Sequence, residues 1–145
     1  MDIALEQAKL AMKLNEIPVG AVVVKNGEII SKAYNLREKL NTPLGHAEIL
    51  AINKASKKLK NWRLSGCELY VTLEPCPMCA GAILESRISK VYIGTFDYKT
   101  GSAGSVINIL QNENLNYFVD VKWCYDKKCS DILVDFFKIA RNKIK

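Results

Sequence analysis

Four side chains stand out for what their types and spacing can do. His46 is the only histidine among 145 residues, Glu48 follows it two places later, and Cys76 and Cys79 form a Cys-x-x-Cys thirty residues on. Two cysteines three apart at the start of a helix share one face, so both sulfurs can reach one ion. A helix N-terminus also favours thiolates, the form that binds metal. His46 can add a third donor of the kind zinc prefers. Three protein ligands leave one tetrahedral position free for water, the pattern of catalytic rather than structural zinc. Zinc brings the pKa of such a water down to roughly 7, and Glu48 is the obvious group to take and deliver the protons. Residues i and i+2 diverge by about 200° on a regular helix, at ~3.6 residues per turn. His46 and Glu48 therefore converge only if His46 stands where the helix has not yet begun, which Pro43 and Gly45 favour.

Each residue also has a plainer reading. A lone histidine is commonly a hydrogen-bonded loop residue, Glu48 alone would be a surface helix residue, and Cys76-x-x-Cys79 could be a redox dithiol. The conjunction of all four favours zinc-dependent hydrolysis.

Composition is compatible with one packed domain over 1–145: 49% of residues are hydrophobic and 25% charged. No apolar run approaches the ~18–20 residues of a membrane helix, and the acids and lysines of "MDIALEQAKLAMKL" do not make a signal peptide, so a cytoplasmic location is the default expectation. Five cysteines, an odd number, argue against a disulfide scaffold; Cys67, Cys124 and Cys129 are expected to be bystander thiols. The net charge is +6, concentrated in "KASKKLKNWR" and "FFKIARNKIK", which are either solvated helix faces or the footprint of a polyanion such as nucleic acid.

The elements that must position the four residues follow from periodicity. Ile3 to Leu14 recur at helical spacing, with Asp2 as the expected N-cap. "VGAVVV" and "IISKAY" flank Asn26-Gly27 and predict a β-hairpin. Residues 35–45 read as a loop, followed by a helix from Ala47 to about Lys58. "CELYVTL" reads as a buried strand stopped by Pro75, "CPMCAGAILESR" as a helix beginning at the cysteines, and "KVYIGTF" as another strand. "DYKTGSAGS" is a glycine-containing loop before an expected short helix from Ser105 to Leu110. "NYFVDVKW" and "DKKCSDILVDFFKIARNKIK" read as a last strand and a last amphipathic helix. This alternation predicts an α/β fold, a three-layer α/β/α sandwich with helices on both faces of a sheet.

H-x-E…P-C-x-x-C is a signature of zinc-dependent nucleobase deaminases. "HAE", "TLEPCPMCAGAI" and "DYKTGSAGS" together resemble the bacterial tRNA-specific adenosine deaminases, within the cytidine deaminase-like superfamily. The similarity runs from "IPVGAVVV" through "AYN" to "DFFKIARNKIK". The zinc motif identifies the superfamily; the loop from Asp97 to Ser105 and the Phe-Phe-basic terminal helix resemble the tRNA branch.

The resemblance implies a cytidine deaminase-like fold with a central mixed sheet of about five strands. It implies one zinc per subunit held by His46, Cys76 and Cys79, with Glu48 as the proton shuttle. It further implies that Asn35 hydrogen-bonds the purine and that Ile17, Ala47 and Leu73 line the base pocket. The carbonyl of Pro75 is implied to accept from the departing amine. Asp97, Lys99, Phe137, Lys138 and Arg141 are the implied RNA contacts. Gly45 stands where alanine is common and is expected to loosen the helix start. Lys138 and Ala140 make the terminal helix less basic than in some relatives. The implied reaction is hydrolysis of the wobble adenosine to inosine in the anticodon loop of an arginine tRNA, by a homodimer. A loop base is already poorly stacked and so is cheaper to extrude than one in a duplex. A free-base or nucleoside deaminase acting on guanine or cytosine would share the zinc motif without needing the loop or the basic helix. A non-catalytic RNA-binding subunit with structural zinc would not need Glu48.

Overall fold

The structure is a computed structural model and describes residues 1–144. Five strands form one mixed sheet, ordered across it as the second, first, third, fourth and fifth strands of the chain. The strands β1 (Gly20–Lys25) and β2 (Glu28–Tyr34) are the expected hairpin. Its turn places Asn26 at φ 51° and Gly27 at φ 76°, the two positive values that a two-residue type I′ turn requires. The third strand, β3 (Cys67–Leu73), runs antiparallel to β1 and parallel to β4 (Lys90–Thr95), which is parallel in turn to β5 (Asp120–Trp123). The carboxyl ends of β3 and β4 therefore lie side by side, and the chain leaving them builds one end of the molecule.

Helices cover both faces, as the sequence predicts. On one side lie α1 (Asp2–Lys13) and the last helix, which spans Lys127–Ile144 and is numbered α5. They join through Leu5, Ala8, Cys129 and Ile132. On the other lie α3 (Ala47–Leu59) and α4 (Pro77–Glu85), whose Ala47, Ala51, Ala55, Ala80 and Ile83 meet Ala21, Val23, Leu69, Val71, Val91 and Ile93 of the sheet. Alanine on the inner face of α3 lets the helix lie close to the sheet. Lys145, the last residue of the expected helix, lies outside the described residues. No helix among the described residues is long and apolar enough to cross a membrane.

Four local expectations are corrected. Asp2 is not an N-cap: Met1 occupies that position, and the Asp2 carboxylate accepts from Lys128 Nζ at 3.0 Å, joining α1 to α5. The loop 35–45 contains a single helical turn, α2 (Arg37–Leu40). Its leading N–H groups are satisfied from afar, Glu38 and Lys39 donating to the buried Glu16 carboxylate at 3.2 and 2.7 Å. The expected helix from Ser105 to Leu110 does not form: the Ile109 N–H, which a helix would give to the Ser105 carbonyl, goes to the Ser102 carbonyl at 2.8 Å. Ser105 N–H goes to Glu74, the N–H groups of Val106 and Ile107 go to the Gly101 carbonyl, and Ala103 bridges Asn108. The last strand is also shorter than "NYFVDVKW", beginning only at Asp120.

Candidate active site

Two helix N-termini meet beside the carboxyl ends of β3 and β4. His46 occupies the N-cap position of α3 with extended backbone, φ −71° and ψ 146°. Cys76 occupies the N-cap of α4, also extended, and Pro77 opens that helix, where a missing N–H costs nothing. The geometric difficulty between His46 and Glu48 is thus resolved as expected, the histidine standing just outside the helix and the glutamate within its first turn. Gly45 does not loosen this start. A Cβ there would lie 2.8 Å from the Arg37 Cα, so the glycine lets the chain press against the Leu36–Arg37 backbone, and its carbonyl accepts the Leu36 N–H at 2.9 Å.

His46 Nδ1 lies 3.6 Å from Cys76 Sγ and 3.5 Å from Cys79 Sγ, and the three donor atoms fall within 4.8 Å of one another. A tetrahedral ion about 2.0 Å from nitrogen and about 2.3 Å from sulfur sets the nitrogen and sulfur roughly 3.5 Å apart. The donors therefore fit zinc in both chemistry and spacing. Their protonation is interdependent. A hydrogen bond from Cys79 holds the Cys76 thiol down to about 4, while the same contact and burial push the Cys79 thiol up; the Cys76 contact raises the His46 imidazole. The remaining cysteines, Cys67, Cys124 and Cys129, are free thiols away from this cluster.

Beside the donors lies a cavity of about 180 Å³ lined by Ile17, Asn35, Ala47, Glu48 and Leu73 along with His46 and Cys76. Glu48 is 4% exposed, and burial raises its carboxyl to about 7. A group balanced there can both accept and return a proton near neutral pH. The Asn35 side chain is held on both sides. Its Oδ1 accepts the Arg37 N–H at 3.1 Å and its Nδ2 donates to the Ile17 carbonyl at 3.2 Å. One N–H and one oxygen lone pair remain for a ligand.

Pro75 is not among the lining residues. It is buried, and its carbonyl accepts the Ser102 N–H at 2.9 Å, tying it to the neighbouring loop. Asp97 lines the cavity, its carboxylate accepting from the N–H groups of Lys99 and Thr100 and from the Thr100 hydroxyl. Lys99, Phe137 and Arg141 come together with Leu133 and Val134 along a groove between this loop and α5. Lys138 is exposed on α5 outside that groove. The first basic run lies on the far half of α3 and beyond, while His46 stands at the start of a helix about 20 Å long. It takes no part in the lining.

Sequence reasoning missed Val19, Arg37, Glu74 and Thr100 in the lining, and Glu16 behind it. Arg37 carried a usable signal, a cation two places after Asn35 in the loop already singled out. Glu16 and Glu74 carried none, because their partners lie more than twenty residues away.

The comparisons with known proteins agree with this geometry. Residues 1–95 match the family described as the cytidine and deoxycytidylate deaminase zinc-binding region. The tRNA-specific adenosine deaminase of Bacillus subtilis (strain 168) is 48% identical over 143 residues, 98% of this chain and 89% of the relative. This chain belongs to the tRNA-specific adenosine deaminase family. The member of that family from Aquifex aeolicus (strain VF5) is 50% identical over 99% of this chain and 95% of its own length. A solved structure from studies of A-to-I editing by tRNA:A34 deaminases at the wobble position of transfer RNA superposes with a TM-score of 0.88. It is 38% identical and covers 92% of this chain and 97% of its own. The family match and the donor geometry together make this a zinc-binding deaminase domain, with His46, Cys76 and Cys79 placed for the metal.

Proposed function

We propose that this protein, a single domain over 1–145, hydrolyses adenosine to inosine at the wobble position of a tRNA anticodon loop, consuming water and releasing ammonia. The observation that carries the reading is the buried Glu48 carboxylate facing a small cavity beside the His46, Cys76 and Cys79 donors, in a chain of this family. Zinc held by those three residues would supply the Lewis acidity that makes water a nucleophile at neutral pH.

The chain's own groups would do the rest. Ile17, Ala47 and Leu73 supply apolar walls for one flat base, and Asn35, pinned by Ile17 and Arg37, presents a donor and an acceptor to its edge. Glu48 takes a proton from the attacking water and passes it to the purine N1; it then takes the proton of the new C6 hydroxyl and delivers it to the amino group, so that ammonia leaves as the C6 carbonyl forms. Burial holds its carboxyl where both directions of transfer are accessible. Outside the cavity, Lys99 and Arg141 offer positive charge to phosphates and Phe137 an apolar face, with Lys138 adding charge on the exposed side of α5. An arginine tRNA is the expected substrate, a homodimer the expected assembly and the cytoplasm the expected location.

The test is incubation with an anticodon stem-loop carrying adenosine at the wobble position and, separately, with adenosine, cytidine and guanine, reading inosine and other products by mass spectrometry. Inosine in the stem-loop alone, absent with Glu48→Ala, supports the reading. Turnover of a free base or nucleoside with the stem-loop untouched overturns the substrate and keeps the chemistry. Stem-loops from other tRNAs test the arginine preference, and sedimentation equilibrium tests the dimer.

A further inference from the structure

The loop from Asp97 to Ser105 is wrapped around one buried carboxylate. Glu74 is 2% exposed and takes part in none of the ion pairs among the described residues. Its Oε1 accepts the Asp97 N–H at 3.1 Å and the Ser105 hydroxyl; its Oε2 accepts the N–H groups of Ala103 at 2.9 Å and Ser105 at 3.1 Å. The anion is thus held by backbone donors from both ends of the loop. Gly101 lies directly on it, where a Cβ would clash with the Glu74 carboxylate and the Asp97 carbonyl oxygen.

Glu74 has no evident part in the chemistry. It is nevertheless rigidly placed, its own N–H donating to the Thr95 carbonyl at 2.9 Å so that the β3–β4 pairing continues through it. The loop that it gathers supplies Asp97 and Thr100 to the cavity and Lys99 to the groove along α5. We infer that Glu74 is a positioning residue for substrate selection: its buried carboxylate fixes the Asp97–Ser105 loop as the wall that admits an RNA loop. This rests on the tRNA reading above for the identity of the substrate, but not for the existence of the latch.

Two variants and three readouts test it. Glu74→Gln keeps the shape yet turns an NH2 group toward two of the loop's donors. Gly101→Ala leaves the carboxylate intact and pushes the loop off it. Both should raise KM for the stem-loop at least about tenfold while kcat falls far less. Both should retain bound zinc. In both, hydrogen exchange at the amides of Asp97, Ala103 and Ser105 should accelerate at least about tenfold relative to amides of β3 and β4. Loss of zinc from both variants would overturn the inference, assigning Glu74 to the metal site. A fall in Tm alone, with KM and loop exchange unmoved, would also overturn it, leaving a purely structural acid. If Glu74→Gln does not fold, Gly101→Ala decides the matter. If the wild type leaves the stem-loop untouched, the tRNA reading fails and exchange alone decides: faster loop amides uphold the latch, unaltered ones sink it.

Discussion

The floor of the cavity and its rim are built on different principles. The floor is made from two helix N-termini, where His46 and Cys76 stand as N-caps and Glu48 and Cys79 occupy the first turns. Its geometry is inherited from helices packed on a sheet. The rim consists of two connecting segments, the single helical turn α2 and the Asp97–Ser105 loop, neither of which belongs to the helices packed on the sheet. Each is gathered instead by a buried carboxylate reached through tertiary contact, Glu16 for the first and Glu74 for the second. Reaction chemistry and substrate shape are therefore secured by separate parts, and each should be removable without the other.

The largest effect expected is at the floor. His46→Ala or Cys76→Ala should abolish zinc binding, measured by metal analysis, and reduce inosine formation to background. Chelation of the wild type should do the same, while exchange at the loop amides of Ala103 and Ser105 stays slow if the rim is held independently. Next in size is Glu48→Gln, expected to lower kcat by about 10²–10⁴-fold, the usual worth of a general acid–base group, with zinc retained. Comparable loss of zinc in that variant would show that floor ligands and proton shuttle are not separable.

At the rim, Glu16→Gln leaves one of the Glu38 and Lys39 donors facing an amide group instead of an oxygen. A destabilisation of about 1–3 kcal/mol in urea unfolding is expected, the cost of leaving a buried donor unsatisfied, with zinc stoichiometry intact. The smallest effects belong to the groove. Lys99→Ala and Arg141→Ala should each weaken stem-loop binding and lower the salt slope of log K by about 1, one phosphate contact apiece. No change in the slope would place the RNA elsewhere on the surface.

The same division decides what could be read from the sequence. His46, Glu48, Cys76 and Cys79 were legible because ligand chemistry depends on residue type and short spacing, and because the helix starts that bear them carry local signals. The hairpin at Asn26-Gly27 was legible for the same reason. The one-turn α2 helix was not, since its stabilising acceptor lies 22 and 23 residues earlier at Glu16. The absent helix at Ser105–Leu110 was misread because the Ile109 N–H is claimed by the Ser102 carbonyl, outside the segment, and no propensity records such competition. Gly45 was judged as a flexible residue, when its role depends on the backbone pressed against it.

The pairing of α1 with α5 has a consequence in time. Asp2 meets Lys128 at one end of the pair and Asn15 meets Lys143 at the other, so segments 126 to 128 residues apart in sequence lie side by side. Residues 46–79, which hold every metal donor, are translated long before α5. A nascent chain can therefore present the zinc donors while α1 still exposes Leu5 and Ala8 and the groove against Lys99 has only one wall. The groove gains its second wall only once α5 has been made.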